Sequence, residues 1–276
     1  MIAVIGATGK TGCRIVHRLE STGTPHRPLS RSTAVRFDWD DPATWSDALE
    51  GVDAAYVSYH PDLAFPGAVE AITALAGLAR DHGVRHLTLL SGRGEEAAEA
   101  AERAVQTAGI ASWRIVRCSW FDQNFSESFF REPVRSRVIA IPAGGAVEAF
   151  VDAEDIADVA VASLTRPGHS GEVYELSGPR LLGFADVAHE LGEAIGREVR
   201  YEPVTPAEYA VMLQVEGLPM DFDDLFTSIL DGRNASVTDG VRRALGREAT
   251  DFADYARRAA ASGVWEVSPV ARVEVG

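Results

Sequence analysis

Residues 2–5 form an unbroken apolar run, Ile2-Ala3-Val4-Ile5, which predicts a strand buried on both faces. A glycine-rich turn, "GATGKTG", follows it. Beyond the turn Ile15, Val16 and Leu19 recur on one face of a predicted helix. The same succession continues along the chain. "HRPLSRST" predicts a second strand, and Asp41-Pro42 a helix cap followed by a first-turn proline, closed by Gly51. "VDAAYVS" predicts another strand, and Ala68 to Arg80 an amphipathic helix carrying Val69, Ile72, Leu75 and Leu78. "HLTLLS", then Glu95 to Ala108, then "SWRIVR" read as strand, helix and strand. Such alternation predicts an α/β protein with a doubly wound parallel sheet, the Rossmann arrangement.

After Cys118 the pattern breaks into the aromatic stretch "SWFDQNFSESFF" and resumes at "AFVDAEDIADVAVASL". Asp152 and Asp155 there stand at the spacing of a helix cap and a first-turn acid, which accounts for both without acid-base chemistry. "GEVYELSG" predicts a late sheet strand. Past Gly178 the chain turns to short helices and loops with Pro203, Pro206 and Pro219, then an amphipathic helix within "GREATDFADYARRAAASGVW". The expected organisation is a dinucleotide-binding domain over residues 1–155, to which a strand at 172–178 returns. Residues 156–276 would form mainly a smaller lobe covering the substrate, with 119–145 contributing to the substrate site.

Composition narrows the partners. A formal net charge of -15 over 276 residues argues against a nucleic-acid or anionic-membrane surface. Cys13 and Cys118 are far apart with no metal-like spacing, and are expected to be buried, reduced thiols. No apolar run has the length of a membrane helix and the first strand starts at the first residues, so the expectation is a cytoplasmic protein without a leader. His82 and His86 straddle Gly83 at a helix-strand junction, so no metal site is expected. Ser91 lacks the glycine two residues before it that a nucleophile elbow requires.

The glycine turn admits two readings. Gly9-Lys10-Thr11 resembles the end of a P-loop, but the glycine that motif needs five positions earlier would be Val4, inside the strand. The dinucleotide reading fits: Gly6 ends the strand, Gly9 lets the backbone approach a pyrophosphate, and Gly12 lets the helix pack on the sheet. Thr8, Lys10 and Thr11 complete that turn, with the helix amides holding phosphate. At the end of the second strand an acid would bind the ribose hydroxyls of NAD, whereas arginine accommodates the extra phosphate of NADP. Here the chain reads Ser30-Arg31-Ser32 with no acid before Asp38, which favours NADP(H) over NAD(H). Asp38 and Trp39 are placed to reach the adenine, and Ser58 and Ser91, at later strand ends, complete the expected cofactor contacts.

Together "GATGKTG", "SRS", "FDWDDP", "LLSGRG", "RCSWFDQNF" and "FVDAEDIADVA" resemble the NmrA-like family, an atypical branch of the short-chain dehydrogenase/reductase superfamily, over nearly the whole chain. Within it the resemblance is to bacterial ergot-alkaloid-type or NAD(P)H-binding reductases. The resemblance implies a Rossmann fold and NADP(H). Its members include quinone, imine and enone reductases, enzymes that couple aromatic polyketide units, and catalytically silent redox sensors. The chain departs from the superfamily in one respect: Lys10 is its only lysine, so no Tyr-x-x-x-Lys pair exists to protonate a nascent alkoxide. Ser91 matches the superfamily's catalytic serine position without those partners.

Losing a general acid forfeits roughly 10²–10⁴ in rate on a simple ketone. Hydride addition to an iminium ion needs no proton, and a quinone yields a weakly basic phenolate. An NADPH-dependent reductase of a planar quinone-like, iminium or enone substrate in specialised metabolism is therefore the first reading. The alternatives are an enzyme that assists coupling of aromatic polyketide units and a non-catalytic NADP(H)-sensing module. Trp120, Phe121, Phe125, Phe129 and Phe130 would form the floor of the substrate site, past a strand's carboxyl end. Asp122, Gln123 and Asn124 would offer polar contacts, and Asn124 matches a position that recurs in the family's motif. Tyr59 and His60 would approach the nicotinamide, with His60 the candidate proton donor.

Overall fold

In a computed structural model, residues 1–166, 170–216 and 229–266 are described. The first apolar run is strand β1 (Ile2–Ile5), every residue of it buried. It continues through α1 (Lys10–Ser21), β2 (His26–Ser30), β3 (Val35–Arg36), α2 (Trp45–Leu49), β4 (Ala54–Val57), α3 (Ala68–Asp81), β5 (His86–Gly92), α4 (Glu96–Thr107) and β6 (Ser112–Cys118). Short helices α5 (Asn124–Glu127) and α6 (Arg131–Ser136), and strands β7 (Val138–Ile141) and β8 (Val147–Glu148), lead to α7 (Ala153–Thr165) and β9 (Glu172–Leu176). Next come β10 (Leu182–Gly183), α8 (Phe184–Ile195), β11 (Arg200–Pro203), α9 (Pro206–Glu216) and helices Gly240–Leu245 and Phe252–Ala261. Pro219 lies outside the described residues.

Seven strands form one parallel sheet in the order β3-β2-β1-β4-β5-β6-β9. The order reverses between β1 and β4, which opens a crevice at the carboxyl ends of the strands. On one face Ile15 and Leu19 of α1 and Ala157 and Ala160 of α7 cover Val4, Ala54 and Tyr56. On the other, Trp45 and Leu49 of α2, Ile72 and Leu75 of α3, and Ala98 and Val105 of α4 pack on Ile5, Val57 and Leu89. Both faces are apolar because both are covered, which is why the strands read as runs rather than alternations.

The boundary expected at residue 155 falls inside α7, whose buried residues Ala157 and Ala160 pack on the sheet beside α1 and whose Ile156 and Val159 pack against Val116 and Tyr174. Ion pairs fix the two helices together, Arg14 to Glu154 at 2.6 Å and Arg18 to Asp158 at 2.6 Å. Asp152 caps α7, accepting from the Glu154 amide at 2.9 Å. Asp155 accepts from the amide and hydroxyl of Thr250, at 2.6 and 3.1 Å, and so ties the C-terminal segment to the sheet domain. Cys118 is buried as expected, but Cys13 is exposed, lying off the Gly12-Ile15-Leu19 stripe that α1 turns to the sheet.

A second apolar core gathers Trp120, Phe125, Phe130, Phe150, Phe184, Phe252 and Trp265 between α5, α6, α8 and helix Phe252–Ala261. Two small sheets edge it, β7 with β11 and β8 with β10. Arg180 joins α8 to the last helix through Glu190 at 2.6 Å and Asp251 at 2.7 Å.

Candidate active site

A cavity of about 930 Å³ occupies the crevice, between the carboxyl ends of the sheet and the second core. Its base is the glycine turn. Gly6 has φ +82°, a left-handed conformation that ends β1 abruptly, and its carbonyl accepts from the Gly9 amide at 2.9 Å. A Cβ on Gly12 would stand 2.1 Å from the Gly6 carbonyl oxygen, so glycine there sets how closely α1 approaches the strand. Gly12 itself does not line the cavity, and its place at the contact of α1 with the strand is the packing role that its spacing predicts. Thr11 lines the wall while its hydroxyl accepts from the Tyr56 phenol at 2.8 Å, pinning α1 to β4.

Helix α1 has no side-chain cap at Gly9, and among the described residues the amides of Thr8, Lys10 and Thr11 have no backbone acceptor. These donors, the helix dipole behind them and the glycine backbone fit a pyrophosphate. Lys10 is on the same wall, where burial pushes its pKa down against the opposing pull of Glu127. Arg14 holds Glu127 in a two-pronged contact at 2.6 and 3.1 Å.

Ser30, Arg31 and Ser32 form one lip of the cavity. Arg31 is exposed, and among the described residues its guanidinium has no hydrogen-bond or ion-pair partner. Asp38 and Asp40 line the same cavity, and Asp38 is engaged by Arg36 at 2.8 Å. Trp39 donates its indole N–H to the Ser58 carbonyl at 3.2 Å and packs on Tyr59, ring centres 4.8 Å apart. This places Arg31, Ser32, Asp38, Trp39, Ser58 and Tyr59 on one continuous surface with Gly6, Thr8 and Gly9.

At the far end stand Trp120, Phe121, Asn124 and Phe129, four of the residues expected from the sequence at a substrate site. Phe125 is not among them: it is fully buried in the second core, its ring 5.5 Å from Phe130 and 5.8 Å from Phe252, its carbonyl accepting from Trp265 at 2.8 Å. Phe130 shares that core. Asp122 and Gln123 are also buried away from the cavity, Gln123 bridging the Asp152 carboxylate and the Ala153 amide at 2.7 Å each. Only Asn124 of the three polar residues reaches the wall. Short helices put neighbouring side chains about 100° apart, so the stretch divides between core and cavity.

Ser91 lies on the wall, but its hydroxyl donates to the buried Glu102 at 2.6 Å, and Glu102 also accepts from Arg117 at 2.9 Å. Arg117 in turn reaches Glu175 at 2.8 Å. Ser91 therefore joins β5 to a structural ion network, and its expected catalytic role is not carried by that geometry. His60 is exposed at the rim, with no ring partner among the described residues.

Three carboxyls on the wall were not among the residues expected from the sequence: Asp62, Glu95 and Glu148. Burial raises all three. The carboxyls of Asp62 and Glu95 face each other within hydrogen-bonding range, so one proton is favoured between them. Glu148 is pushed up to about 7 by burial, with Arg93 opposing. A Cβ on Gly92 would lie 2.4 Å from the Glu95 carboxyl, so the glycine at the end of β5 makes the space that this carboxyl fills.

Sheet order, glycine turn and open helix N-terminus define a Rossmann-type fold with a dinucleotide site. No family model matches the chain. An NAD(P)H azoreductase from Xenophilus azovorans is 31% identical over 288 residues, covering 95% of this chain and 99% of that protein. Two solved structures share the fold at 22% identity, each covering 94% of this chain and 99% of theirs. They are the triphenylmethane reductase of Citrobacter sp. complexed with NADP(H), at TM-score 0.78, and the quinone oxidoreductase QOR2 of Escherichia coli complexed with NADPH, at 0.79. The chain belongs to the atypical short-chain dehydrogenase/reductase superfamily, in its NmrA-like branch, and is an NAD(P)H-dependent oxidoreductase. No helix among the described residues is long and apolar enough to cross a membrane.

Proposed function

We propose that this protein is an NADPH-dependent reductase of flat, conjugated electrophiles, the class that includes quinones, azo compounds, iminium-type cations and activated enones. The observation that carries the reading is one continuous cavity whose two ends differ in chemistry. The glycine turn and the unpartnered Arg31 stand at one end, and Trp120, Phe121 and Phe129 at the other. When bound, the nicotinamide supplies a hydride. The amides of Thr8, Lys10 and Thr11 hold the pyrophosphate, and Arg31 meets the 2′-phosphate that distinguishes NADPH from NADH. The aromatic wall stacks a planar acceptor and excludes water from the hydride path.

The azoreductase, triphenylmethane reductase and quinone oxidoreductase similar to this chain are named for flat conjugated acceptors, which supports the same acceptor class here. A module that only senses the cofactor has no use for an aromatic acceptor wall, and on that ground the catalytic reading is preferred. The test is NADPH oxidation by the purified protein across quinones, azo dyes, triarylmethyl cations and cyclic iminium ions. Saturable turnover of at least one class is expected. Tight NADPH binding with no oxidation by any of them would overturn the reductase reading in favour of the sensor.

A further inference from the structure

Two hydroxyls near the base of the cavity are already committed as hydrogen-bond donors. Tyr56 is fully buried and gives its phenol hydrogen to Thr11, and the Ser91 hydroxyl is given to Glu102. Glu95 differs from both. It lines the cavity, its Oε2 is buried, and among the described residues no N–H or O–H donor is aimed at that oxygen, while the Asp62 carboxyl faces the Glu95 carboxyl. We propose that Glu95, on the cavity wall beside Asp62, is the proton donor of the reduction, an assignment that rests on the reductase reading above.

A buried oxygen with no donor aimed at it is costly as an anion, whereas as a hydroxyl it can bond the facing Asp62 carboxyl or turn to an acceptor in the cavity. Two features hold the acid in place. Gly92 leaves the space into which the carboxyl packs, as the 2.4 Å separation from a built Cβ shows. Asp62, in the loop before α3, is itself fixed by the Ala64 amide at 2.9 Å and faces Glu95 as a like charge.

The cationic groups nearby are engaged elsewhere. Arg93 on the same loop donates to the Ser236 carbonyl at 2.7 Å, and Arg233, which reaches the Gly94 carbonyl at 2.9 Å, is paired with Asp231 at 2.8 Å. Glu95 is also the N-cap of α4, a position that favours the anion, but its side chain makes no capping hydrogen bond. Burial and the neighbouring carboxyl therefore prevail, and they raise the Glu95 pKa well above the ordinary carboxyl range.

The balance is simple. An azo acceptor gains a hydride on one nitrogen; the second nitrogen forms its N–H bond as the Glu95 O–H bond breaks, giving a hydrazine and a Glu95 carboxylate. Solvent returns the proton by way of Asp62. A triarylmethyl cation gains hydride at carbon and becomes neutral, so it needs no donor.

That contrast supplies the test. Glu95→Gln, with Gly92→Ala to displace the carboxyl and Tyr59→Phe as control, is assayed on an azo dye and on a triarylmethyl cation. Infrared spectra of the cofactor-free protein are recorded across pH alongside. The expected result is a fall of about 10²–10⁴-fold in azo turnover for Glu95→Gln with cation turnover unchanged. Gly92→Ala should show a smaller loss confined to the azo dye. Tyr59→Phe should lack any such split, and a protonated-carboxyl band at neutral pH should disappear in Glu95→Gln. An equal fall on both acceptors, no fall on either, or no such band overturns the assignment while the reductase stands. Wild-type protein that reduces other planar acceptors but not the azo dye overturns the donor role alone, and wild-type protein that oxidises NADPH with no acceptor class overturns the reductase reading itself.

Discussion

Replacing Arg31 with alanine isolates the cofactor's extra phosphate from everything else in the site. The guanidinium has no partner among the described residues, so its removal leaves no buried charge behind. The loop holds its shape without it: the Ser30 amide donates to the Thr33 hydroxyl at 2.7 Å, and the Ser32 amide to the Ser30 hydroxyl at 3.2 Å. Folding stability should therefore not change. A hydrogen bond from a charged group to phosphate contributes about 1.5–3 kcal/mol, and the lower end applies because Arg31 is exposed to solvent. The lip also carries Asp38 and Asp40, whose charges oppose a phosphate, so the arginine offsets a repulsion as well as making a bond. A loss of about 1.5 kcal/mol is roughly tenfold in Kd.

Titration followed by tryptophan fluorescence, with Trp39 on the same wall, should show NADPH binding weakened about tenfold and NADH binding unchanged. The NADPH preference of the wild type should shrink as salt rises, since the screening length is about 8 Å at physiological ionic strength. Equal weakening of both cofactors, or none of NADPH, would refute the reasoning.

Gly12→Ala should destabilise the fold by about 1–3 kcal/mol or more and weaken both cofactors together, because its Cβ meets backbone rather than a side chain that can turn away; denaturant unfolding with binding in parallel reads both. Phe125→Ala should lower stability by about 3–5 kcal/mol, whereas Phe129→Ala, on the cavity wall, should raise KM for planar acceptors with a smaller loss of stability. Thermal unfolding and steady-state kinetics separate the two. Burial and then Arg114 push the His86 pKa down to about 4, and its ring contacts Ser112 and Thr88 hydroxyls at 2.8 and 2.9 Å. Between about 4 and the unfolded value near 6.5 the unfolded chain binds the extra proton. Stability is therefore fully present above that window and is lost as pH falls through it, by up to roughly 3 kcal/mol. An NMR titration should find the folded imidazole still neutral at pH values where free histidine is charged.

The strands and helices of the sheet domain were legible because each is buried on a repeating stripe, and the glycine turn because its spacing admits one geometry. Arg31 and Trp39 were legible through their place after the second strand. The aromatic stretch was legible only as a whole. Whether Phe125 or Phe129 faces the cavity depends on where α5 ends, and a four-residue helix has no periodicity to read. Asp62, Glu95 and Glu148 look in sequence like ordinary surface acids; what buries them comes from loops far along the chain. For Glu95 one local signal existed, the paired glycines of "GRGE" just before a helix start, which open space around a side chain that would otherwise be solvated. Likewise Ser91 looked free because its partner Glu102 sits on the following helix and is fixed there by Arg117.

The most direct test of the central claim is hydride transfer itself. NADPH carrying deuterium at the nicotinamide C4, on one face and then the other, is incubated with the protein and a triarylmethyl cation, and the product is analysed by mass spectrometry. Direct transfer within the cavity predicts deuterium at the central carbon from one labelled face only. Product without deuterium from either face would contradict the account, as would NADPH left unoxidised by the cation and by every other planar acceptor class.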